Sequence, residues 1–290
     1  MTWIAPKGGR VKPAPAILCL FFMVLIFGCG SQTPPPPFQP NPGGMLFSDS
    51  FDNAAFSGWT KSNDPASLVP PPQYAIGTVH SPTRLSNSAV RFELHRDDPA
   101  VYGGKRAELR ILPPDQQFAE RWFAFSIYLP EDYADDPGSA EILAQWHNYP
   151  DMEKGEGWTS PPLALLTWNG KWALNGVWDE NQISTMDEIW YGKKHYEADF
   201  GSYHDDRGKW TDWVVHVKWG WLPEHDPFVD VYKNGQLIFG RKGPNTTNDK
   251  NGVYFNIGIY KWDRRCALQP ARLFSDTMTV KGQLISWEKP

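Results

Sequence analysis

Short segments in which polar and apolar residues alternate recur along this chain of 290 residues, and turn-forming residues separate them. Alternation is the period of a half-buried β-strand, because successive side chains point to opposite faces of a sheet. Stretches with the period of a long amphipathic helix are scarce, and 27 prolines and 25 glycines interrupt the chain. The pattern predicts an all-β fold, a single-domain jelly-roll sandwich of two sheets. The clearest alternating segments span residues 89–95, 106–110, 122–128, 145–147, 213–219, 228–239 and 254–260.

Two connections between these segments can also be predicted. Asn234-Gly235 separates the alternating residues 228–232 from 237–239, and both residues accept the positive φ of a tight turn. We therefore expect a β-hairpin there. Residues 179–210 are rich in charged and aromatic residues, and we expect them to form a long loop over one sheet face.

The first residues have the composition of an export signal rather than of a folded domain. Lys7, Arg10 and Lys12 precede an apolar run over residues 16–27 that is too short for a comfortable membrane span. This arrangement predicts a secretory signal peptide over residues 1–28.

The end of the apolar run suggests a lipid anchor. Leu25-Ile26-Phe27-Gly28-Cys29 resembles a bacterial lipobox, in which the cysteine is lipidated and becomes the first mature residue. We predict lipidation of Cys29, a proline-rich disordered tether over 29–44 and a folded domain over 45–290. The alternative is an ordinary signal peptide cut nearby, which leaves Cys29 without a role.

Charge and cysteine content limit the partners and the location of the protein. Removing residues 1–28 deletes three positive charges and no acidic ones, so the formal net charge changes from −5 to −8. An acidic exported domain is a poor candidate for nucleic-acid binding, and we expect membrane contact only through the anchor. We expect a monomer at the outer membrane or cell surface, or otherwise a secreted or periplasmic protein. Cys266 is the single cysteine of the folded domain and cannot form an internal disulfide.

Three segments far apart in sequence each collect polar side chains on one face. Residues i and i+2 of a strand face the same way, so alternation sorts the polar residues to one side. Together these faces carry guanidinium, amide, imidazole and phenol groups, a set suited to chemistry on an acidic sugar. The residues are Arg106, Glu108 and Arg110 in the first segment, Gln145 and His147 in the second, and Tyr254, Asn256, Gly258 and Tyr260 in the third.

Tryptophan is unusually frequent, with fourteen of fifteen residues after the signal peptide. About half are expected in the core. The others could stack on the apolar face of a pyranose ring, which favours a carbohydrate ligand but does not separate an enzyme from a lectin. The candidates for stacking lie beside polar segments and are Trp146, Trp178, Trp190 and Trp262.

At these segments the chain resembles polysaccharide lyases of the jelly-roll (concanavalin-like) type. Alginate lyases of this architecture carry Arg-x-Glu-Leu, Gln-x-His and Tyr-Phe-Lys-x-Gly-x-Tyr strands, which correspond here to residues 106–109, 145–147 and 254–260. Residues 142–262 are most similar to the glucuronan lyase and heparin lyase I group, through Gln-Trp-His, Trp-Thr-Asp-Trp at 210–213 and the Asn-Gly hairpin. The resemblance covers most of residues 45–290.

One position departs from the alginate lyase pattern. Asn256 stands where those enzymes have lysine. Lys261 could supply a cation instead, although alternation places it on the opposite face from Tyr260. The departure argues against alginate, and the acidic net charge argues against heavily sulfated heparin. Glucuronan or another plain glucuronate polymer is therefore the preferred substrate.

The resemblance implies cleavage of a uronate polysaccharide by β-elimination, which leaves a 4,5-unsaturated uronate end. Tyr260 matches the tyrosine that acts as base, and often also as acid, while His147 is the alternative base. Gln145 and Arg106 match the groups that neutralise the substrate carboxylate, although Arg106 could instead pair with Glu108. Alternation does not decide between Arg106 and Arg110, so Arg110 is also a candidate for substrate contact. Tyr254 is the fallback phenol or a contact in a neighbouring subsite. The remaining candidates for substrate contact are Asn256 and Lys261.

Two other functions stay open from the residues alone. A glycoside hydrolase needs two carboxylates at a fixed separation, and Asp151 and Glu153 offer a pair, although their neighbours favour a loop. A sugar-binding module without catalysis would need only the tryptophans. No metal-binding motif is present and we expect no cofactor, although a structural calcium ion on the rim of the sandwich would leave no sequence signature.

Overall fold

The computed structural model describes residues 45–52, 56–61, 72–95, 97–100, 104–112, 114–135, 139–262 and 275–288. The predicted signal peptide, the lipidation of Cys29, the tether and the unpaired Cys266 lie outside these residues. Within the described residues, no helix is both long and apolar enough to cross a membrane.

Strands dominate the described part of the chain, and one short α-helix accompanies them. The strands are β1 (Met45–Phe47), β2 (Trp59–Lys61), β3 (Ile76–Val79), β4 (Ala89–His95), β5 (Gly104–Ile111), β6 (Glu120–Tyr128), β7 (Glu141–Asn148), β8 (Leu163–Trp168), β9 (Lys171–Val177), β10 (His195–Ser202), β11 (Trp210–Lys218), β12 (Phe228–Lys233), β13 (Gln236–Lys242), β14 (Val253–Trp262) and β15 (Ser275–Glu288). The helix α1 spans Met186–Tyr191, and single 3₁₀ turns occupy Met152–Lys154, His204–Asp206 and Pro223–His225.

These strands form two antiparallel sheets. The first sheet has the order β13-β12-β11-β6-β15-β4-β3, with β1 paired to β15, and the second has the order β10-β9-β8-β7-β14-β5-β2. Consecutive strands such as β4 and β5, or β6 and β7, lie in different sheets, so the chain crosses repeatedly between the layers. The predicted all-β jelly-roll sandwich is therefore confirmed.

The core lies between the two sheets and contains the apolar positions of the alternating strands. On β14, Phe255, Ile257 and Ile259 all belong to the core cluster. The ring of Phe255 lies 5.3 Å from Phe123 of the first sheet and 5.1 Å from Trp146 of β7. Burial of each such side chain contributes about 1.5–3 kcal/mol. The intervening residues of β14 point away from the core, onto what we call the open face of the second sheet.

The two predicted connections have different outcomes. The hairpin between β12 and β13 is confirmed, since Asn234 and Gly235 have φ of 50° and 80°. The prediction of a long loop over 179–210 is wrong for the second half of this range, because residues 195–202 form the edge strand β10. There Tyr196, Ala198 and Phe200 pack on the core and alternate with polar residues, a pattern that the many charges obscured.

Candidate active site

The register of the second sheet brings the three polar segments together on its open face. Asn256 of β14 pairs with Arg110 of β5 on one side and with Gln145 of β7 on the other. Neighbouring strands lie about 4.8 Å apart, so these side chains are adjacent. We call these three residues the amide row. The flanking pairs on the same face are Tyr254 with His147 and Tyr260 with Arg106.

Gln145 and Glu108 meet across the strand between them, where Gly258 has no side chain. Glu108 pairs in register with Gly258, and Nε2 of Gln145 donates a hydrogen bond to Oε1 of Glu108. Gly258 has φ of 145°, and a Cβ there would overlap the carbonyl oxygen of Ala107. Glycine is therefore needed at this position both for its backbone conformation and for the close approach of the β5 backbone.

Arg110 is held by three neighbours on the open face. Its Nε donates to Oδ1 of Asn256 at 3.1 Å, and its Nη1 donates to the hydroxyl of Tyr149 at 3.2 Å. Its Cζ also lies 4.3 Å from the ring centre of Tyr254, a favourable cation–π distance. These contacts fix the plane of the guanidinium group and the side-chain orientation of Asn256.

Arg106 lies between a carboxylate and a phenol ring. Its Nη1 is 3.7 Å from Oε2 of Glu108, and its Cζ is 4.2 Å from the ring centre of Tyr260. Gly104 allows this arrangement, because a Cβ at that position would press against the Tyr260 ring. A cation beside a phenol favours the ionised phenolate, which is the form that accepts a proton. Arg106 thus forms its ion pair with Glu108 and its contact with the Tyr260 ring at the same time.

His147 is half-buried and electrically neutral around neutral pH. Burial, helped by the positive charges of Arg110 and Arg106, lowers its pKa to about 4, although a hydrogen bond to the carbonyl of Asn148 opposes the shift. That bond joins Nδ1 to the Asn148 oxygen at 2.9 Å, so Nδ1 carries the proton and Nε2 is an acceptor. At neutral pH His147 therefore carries no positive charge, and the cation against the Tyr260 ring is Arg106.

Tyr254 packs beside His147 on the open face. The two rings are nearly parallel, with centres 5.7 Å apart. Burial raises the pKa of Tyr254 above its ordinary value, although Arg110 opposes the shift. A phenol that is harder to ionise is a poor general base, so this residue fits a contact role better than the fallback role of base.

Two residues predicted to contact substrate do not reach the open face. Trp146 is fully buried between the sheets, because alternation turns it away from Gln145 and His147. Lys261 is also buried, and it forms an ion pair with Glu141 on the core side of β14. Both predictions are wrong for the same reason: the side-chain type suggested a sugar contact, while the strand period places each residue on the opposite face.

The other tryptophan candidates lie at the edges of the second sheet. Trp190 of α1 is 37% exposed, and its ring centre lies 4.5 Å from that of His195 on β10. Trp262 is 41% exposed and follows Tyr260 by two residues on β14. Trp178 instead packs against Tyr196 and against Arg241 of the first sheet, so its contacts belong to the sheet edge and not to the amide row.

Two aromatic residues beside His147 were missed in the sequence. Trp158 is 50% exposed and its ring centre lies 5.3 Å from that of His147. Tyr149 lies 4.7 Å from Tyr254, measured between ring centres. Continued alternation beyond His147 would have indicated Tyr149, whereas Trp158 lies in a loop that has no periodic signal.

The carboxylates that a hydrolase would need are not arranged as a strand pair. Asp151 and Glu153 lie at the start of the 3₁₀ turn Met152–Lys154, and Asp151 is buried while Glu153 is exposed. The carboxylate of Asp151 accepts hydrogen bonds from Nζ of Lys154 at 2.6 Å and from the backbone nitrogen of Lys250 at 3.0 Å. These contacts do not provide the acid and base pair of a glycoside hydrolase.

Asp151 belongs instead to a buried cluster of three acids, which we call the acidic trio. One carboxylate oxygen from each of Asp151, Glu156 and Asp249 lies within 4.8 Å of the other two. Within the described residues, Oδ1 of Asp249 has no hydrogen-bond partner. Burial, followed by the adjoining Glu156, raises the pKa of Asp249 to about 8. Oxygen-only ligands of this kind suit calcium or magnesium rather than zinc.

The sandwich fold and the polar groups on its open face define a jelly-roll protein whose site suits an acidic sugar. The family model described as polysaccharide lyase matches residues 51–280. This chain therefore belongs to the polysaccharide lyase family.

Solved structures share the fold at low sequence identity. Endo-β-1,4-glucuronan lyase from the fungus Trichoderma reesei is similar over 84% of this chain and 96% of its own, with 14% identity and a TM-score of 0.64. Alginate lyase AlgAT5 of polysaccharide lyase family 7 has 11% identity, a TM-score of 0.49 and coverage of 81% and 97%. The PL-14 alginate lyase from Aplysia kurodai has 13% identity, a TM-score of 0.46 and coverage of 74% and 87%. No curated protein sequence matches the chain.

Proposed function

We propose that this polysaccharide lyase cleaves a glucuronate-containing polysaccharide, such as glucuronan, by β-elimination on the open face of the second sheet. The observation that carries the proposal is the position of Arg106, whose Cζ lies 4.2 Å from the ring of Tyr260 on the face that carries the amide row. A cation, a phenol and two amides are the groups that this reaction requires.

The first requirement is neutralisation of the uronate carboxylate. The C5 proton is only weakly acidic while the adjacent carboxylate is ionised, because the intermediate then carries two negative charges. Donors placed where this charge develops lower the barrier, and loss of one typically reduces kcat by about 100- to 1000-fold. Arg106 and the amide row supply donors on one face.

The second requirement is proton transfer at C5 and O4. On a D-glucuronate residue the C5 proton and O4 lie on the same side of the ring, so one group can serve both. The Tyr260 phenolate removes the C5 proton, C4=C5 forms as the C4–O4 bond breaks, and the phenol returns its proton to O4. In the C5 epimer the two groups lie on opposite sides, and there the free Nε2 of His147 would be the base.

Two observations favour glucuronate over other uronates. The solved structure that is similar with a TM-score of 0.64 is by its name a glucuronan lyase, which supports this substrate without establishing it. Asn256 also replaces the lysine of the alginate lyase pattern, and Lys261 does not restore a cation on the open face because it pairs with Glu141.

We also propose that the acidic trio holds a structural calcium ion. Three buried carboxyl groups lie together, and the ion pair described for this cluster joins Lys154 to Asp151. Keeping the other two carboxyl groups ionised beside Asp151 is costly without a further cation. The unpartnered Oδ1 of Asp249 points to a missing positive group. Asp151 and Glu156 follow β7 and Asp249 follows β13, so the ion would join these two loops. Backbone nitrogens of Asp151 and Ser184 donate to Glu156 at 2.7 and 2.6 Å and hold this ligand in place.

Export and anchoring complete the proposal and depend on residues 1–44 alone. We propose that the enzyme is exported, lipidated at Cys29 and active as a monomer on an acidic polysaccharide outside the cytoplasm. Labelled palmitate should enter the wild type but not Cys29→Ser. If neither protein is labelled, Cys29 is not lipidated and the enzyme is secreted or periplasmic.

The proposed reaction is tested by the ultraviolet absorbance of the unsaturated uronate product on a panel of uronate polymers. Wild type should give a rise on glucuronan that Tyr260→Phe abolishes, because the variant lacks only the proton-transferring oxygen. Reducing sugar without a rise would indicate hydrolysis. Polymer binding without either signal would make the protein a carbohydrate-binding module.

A further inference from the structure

The two amides of the amide row are held in opposite orientations. Asn256 and Gln145 are cross-strand partners on the open face, yet each is fixed by a different charged residue. Asn256 faces the guanidinium of Arg110, and Gln145 faces the carboxylate of Glu108. Because these two charged groups differ in hydrogen-bonding capacity, they determine which end of each amide remains for a ligand.

Glu108 uses the donor end of Gln145. Glu108 is buried and is also within 3.7 Å of Arg106, so its carboxylate offers acceptors only. The atom of Gln145 that faces it must be the NH₂ group, whose second hydrogen alone is left. The carbonyl oxygen of Gln145 therefore points away from Glu108, as an acceptor. An ionised uronate would be repelled by that oxygen.

Arg110 uses the acceptor end of Asn256. A guanidinium group can only donate, so the atom of Asn256 that accepts from Nε at 3.1 Å must be Oδ1. The NH₂ group of Asn256 is then directed away from Arg110. Within the described residues, the Asn256 side chain makes no other hydrogen bond, so both amide hydrogens are left for a ligand.

We infer that Asn256 is the residue whose amide binds the uronate carboxylate, and that the carbonyl oxygen of Gln145 accepts a hydrogen bond from a neighbouring sugar hydroxyl. This inference rests on the proposed function. Arg110 acts through Asn256 and Glu108 acts through Gln145, so both are positioning residues. The pair of amides selects a uronate with a free ring hydroxyl, which in a 1,4-linked polymer is at C2 or C3 because O4 forms the glycosidic bond. An ester at that hydroxyl would remove the hydrogen that the sugar donates. It would also place an ester oxygen, which can only accept, against the carbonyl oxygen of Gln145.

A double-mutant cycle on glucuronan tests the role of Arg110. Asn256→Ala should lower kcat/KM about 100-fold or more, as expected for loss of a donor to the carboxylate. Arg110→Met should lower it about tenfold, and the double variant should be no worse than Asn256→Ala, because Arg110 has then lost the residue it orients. Thermal melting of each variant separates these effects from unfolding.

Asn175→Ala is the matched control, since Asn175 lies in the same transverse row, beyond Ala164, and has no role in the proposed machinery. Its kcat/KM should stay within about threefold of wild type, well short of the effect of losing an oriented donor. Losses that multiply in the double variant would mean that Arg110 contacts the substrate directly. An Asn256→Ala enzyme with wild-type activity would overturn the assignment of Asn256.

Chemical O-acetylation of the polymer tests the role of Gln145. The acetylated glucuronan should be cut at least about tenfold less efficiently than the unmodified polymer, the cost of burying an unpaired acceptor. Equal kcat/KM values would contradict the hydroxyl contact. If wild type cuts no polymer, the proposed function fails. Calorimetric binding of a glucuronate oligomer to wild type and Asn256→Ala then tests the inference separately, and equal affinities would overturn it.

Discussion

Arg106 contacts Glu108 and the ring of Tyr260 at once, with Nη1 3.7 Å from the carboxylate and Cζ 4.2 Å from the ring centre. The carboxylate holds the guanidinium group against the phenol ring. In the proposed reaction, the action of Tyr260 as the base therefore depends on a residue that transfers no proton.

Replacing Arg106 should change the pH dependence of catalysis as well as its rate. Arg106→Met removes the cation beside Tyr260, so kcat should fall about 100-fold or more. The limb of the pH–kcat profile that reports the base should move to higher pH, because the phenolate loses its nearest positive charge. Arg106→Lys retains a charge and should shift the profile less. A slower Arg106→Met enzyme with an unchanged pH profile would contradict this role.

Acid should destabilise the fold through His147. The folded pKa of about 4 lies below the ordinary 6.5, so the unfolded chain binds more protons between these values. Stability should therefore be lost as pH falls from about 6.5 to about 4, and be independent of this group above that window. The melting temperature of His147→Gln should fall less than that of wild type across the window. Parallel curves for the two proteins would show that His147 titrates normally.

Gly258→Ala should damage both the fold and the site. The added Cβ overlaps the Ala107 carbonyl at a positive φ and presses on the backbone of Glu108, whose side chain accepts the hydrogen bond from Gln145. We expect a loss of about 1–3 kcal/mol in the free energy of unfolding, measured by urea denaturation, with a loss of activity at temperatures where the variant is folded. Gly77→Ala is the control, because nothing lies within 4 Å of a Cβ built there. Equal stability of the two variants would remove the steric argument.

Calcium should raise the melting temperature of the wild type, and a chelator should lower it. Asp249→Asn should abolish this response, because it removes a carboxylate ligand, and should be about as stable as wild type in chelator, because a carboxyl group with a pKa raised to about 8 carries little charge at neutral pH. Glu153→Gln changes an exposed acid of the same loop and should keep the calcium response. A wild type with no calcium-dependent shift would rule out the ion.

Trp158 should contribute to substrate affinity rather than to proton transfer. Its exposed ring beside His147 can stack on a sugar in the adjoining subsite. Trp158→Ala should raise KM about fivefold, which corresponds to about 1 kcal/mol, with little change in kcat. Trp158→Phe keeps a stacking surface and should recover part of the loss. A fall in kcat at constant KM would place Trp158 in the chemical step instead.

The strand period was sufficient to predict the fold class and the faces of the site residues. Arg106, Arg110 and Asn256 lie on the open face because alternation is a local property that sequence displays directly. The same period already predicted that Lys261 points away from the open face. The structure confirms this direction, and the prediction that Lys261 contacts the substrate is wrong. Residue type was a weaker guide than position.

Contacts between strands were beyond the sequence. Gln145 reaches Glu108 only because β14 separates β7 from β5 and has a glycine at the crossing point, which depends on sheet order and register. The neighbours of Asp249 likewise come from the segment after β7, about a hundred positions away in the chain, and nothing in its local pattern indicates them. Trp158 lies in a loop, where no period constrains its direction.

Tyr260 and Lys261 are successive residues with opposite destinations, one on the open face and one buried against Glu141. A shift of a single residue along β14 would exchange them, moving the phenol into the interior and the ammonium group onto the surface. Evolution can therefore change this strand by substitution but hardly by insertion or deletion. Mutational scanning of β14 should tolerate new side chains at several positions and almost no change in length.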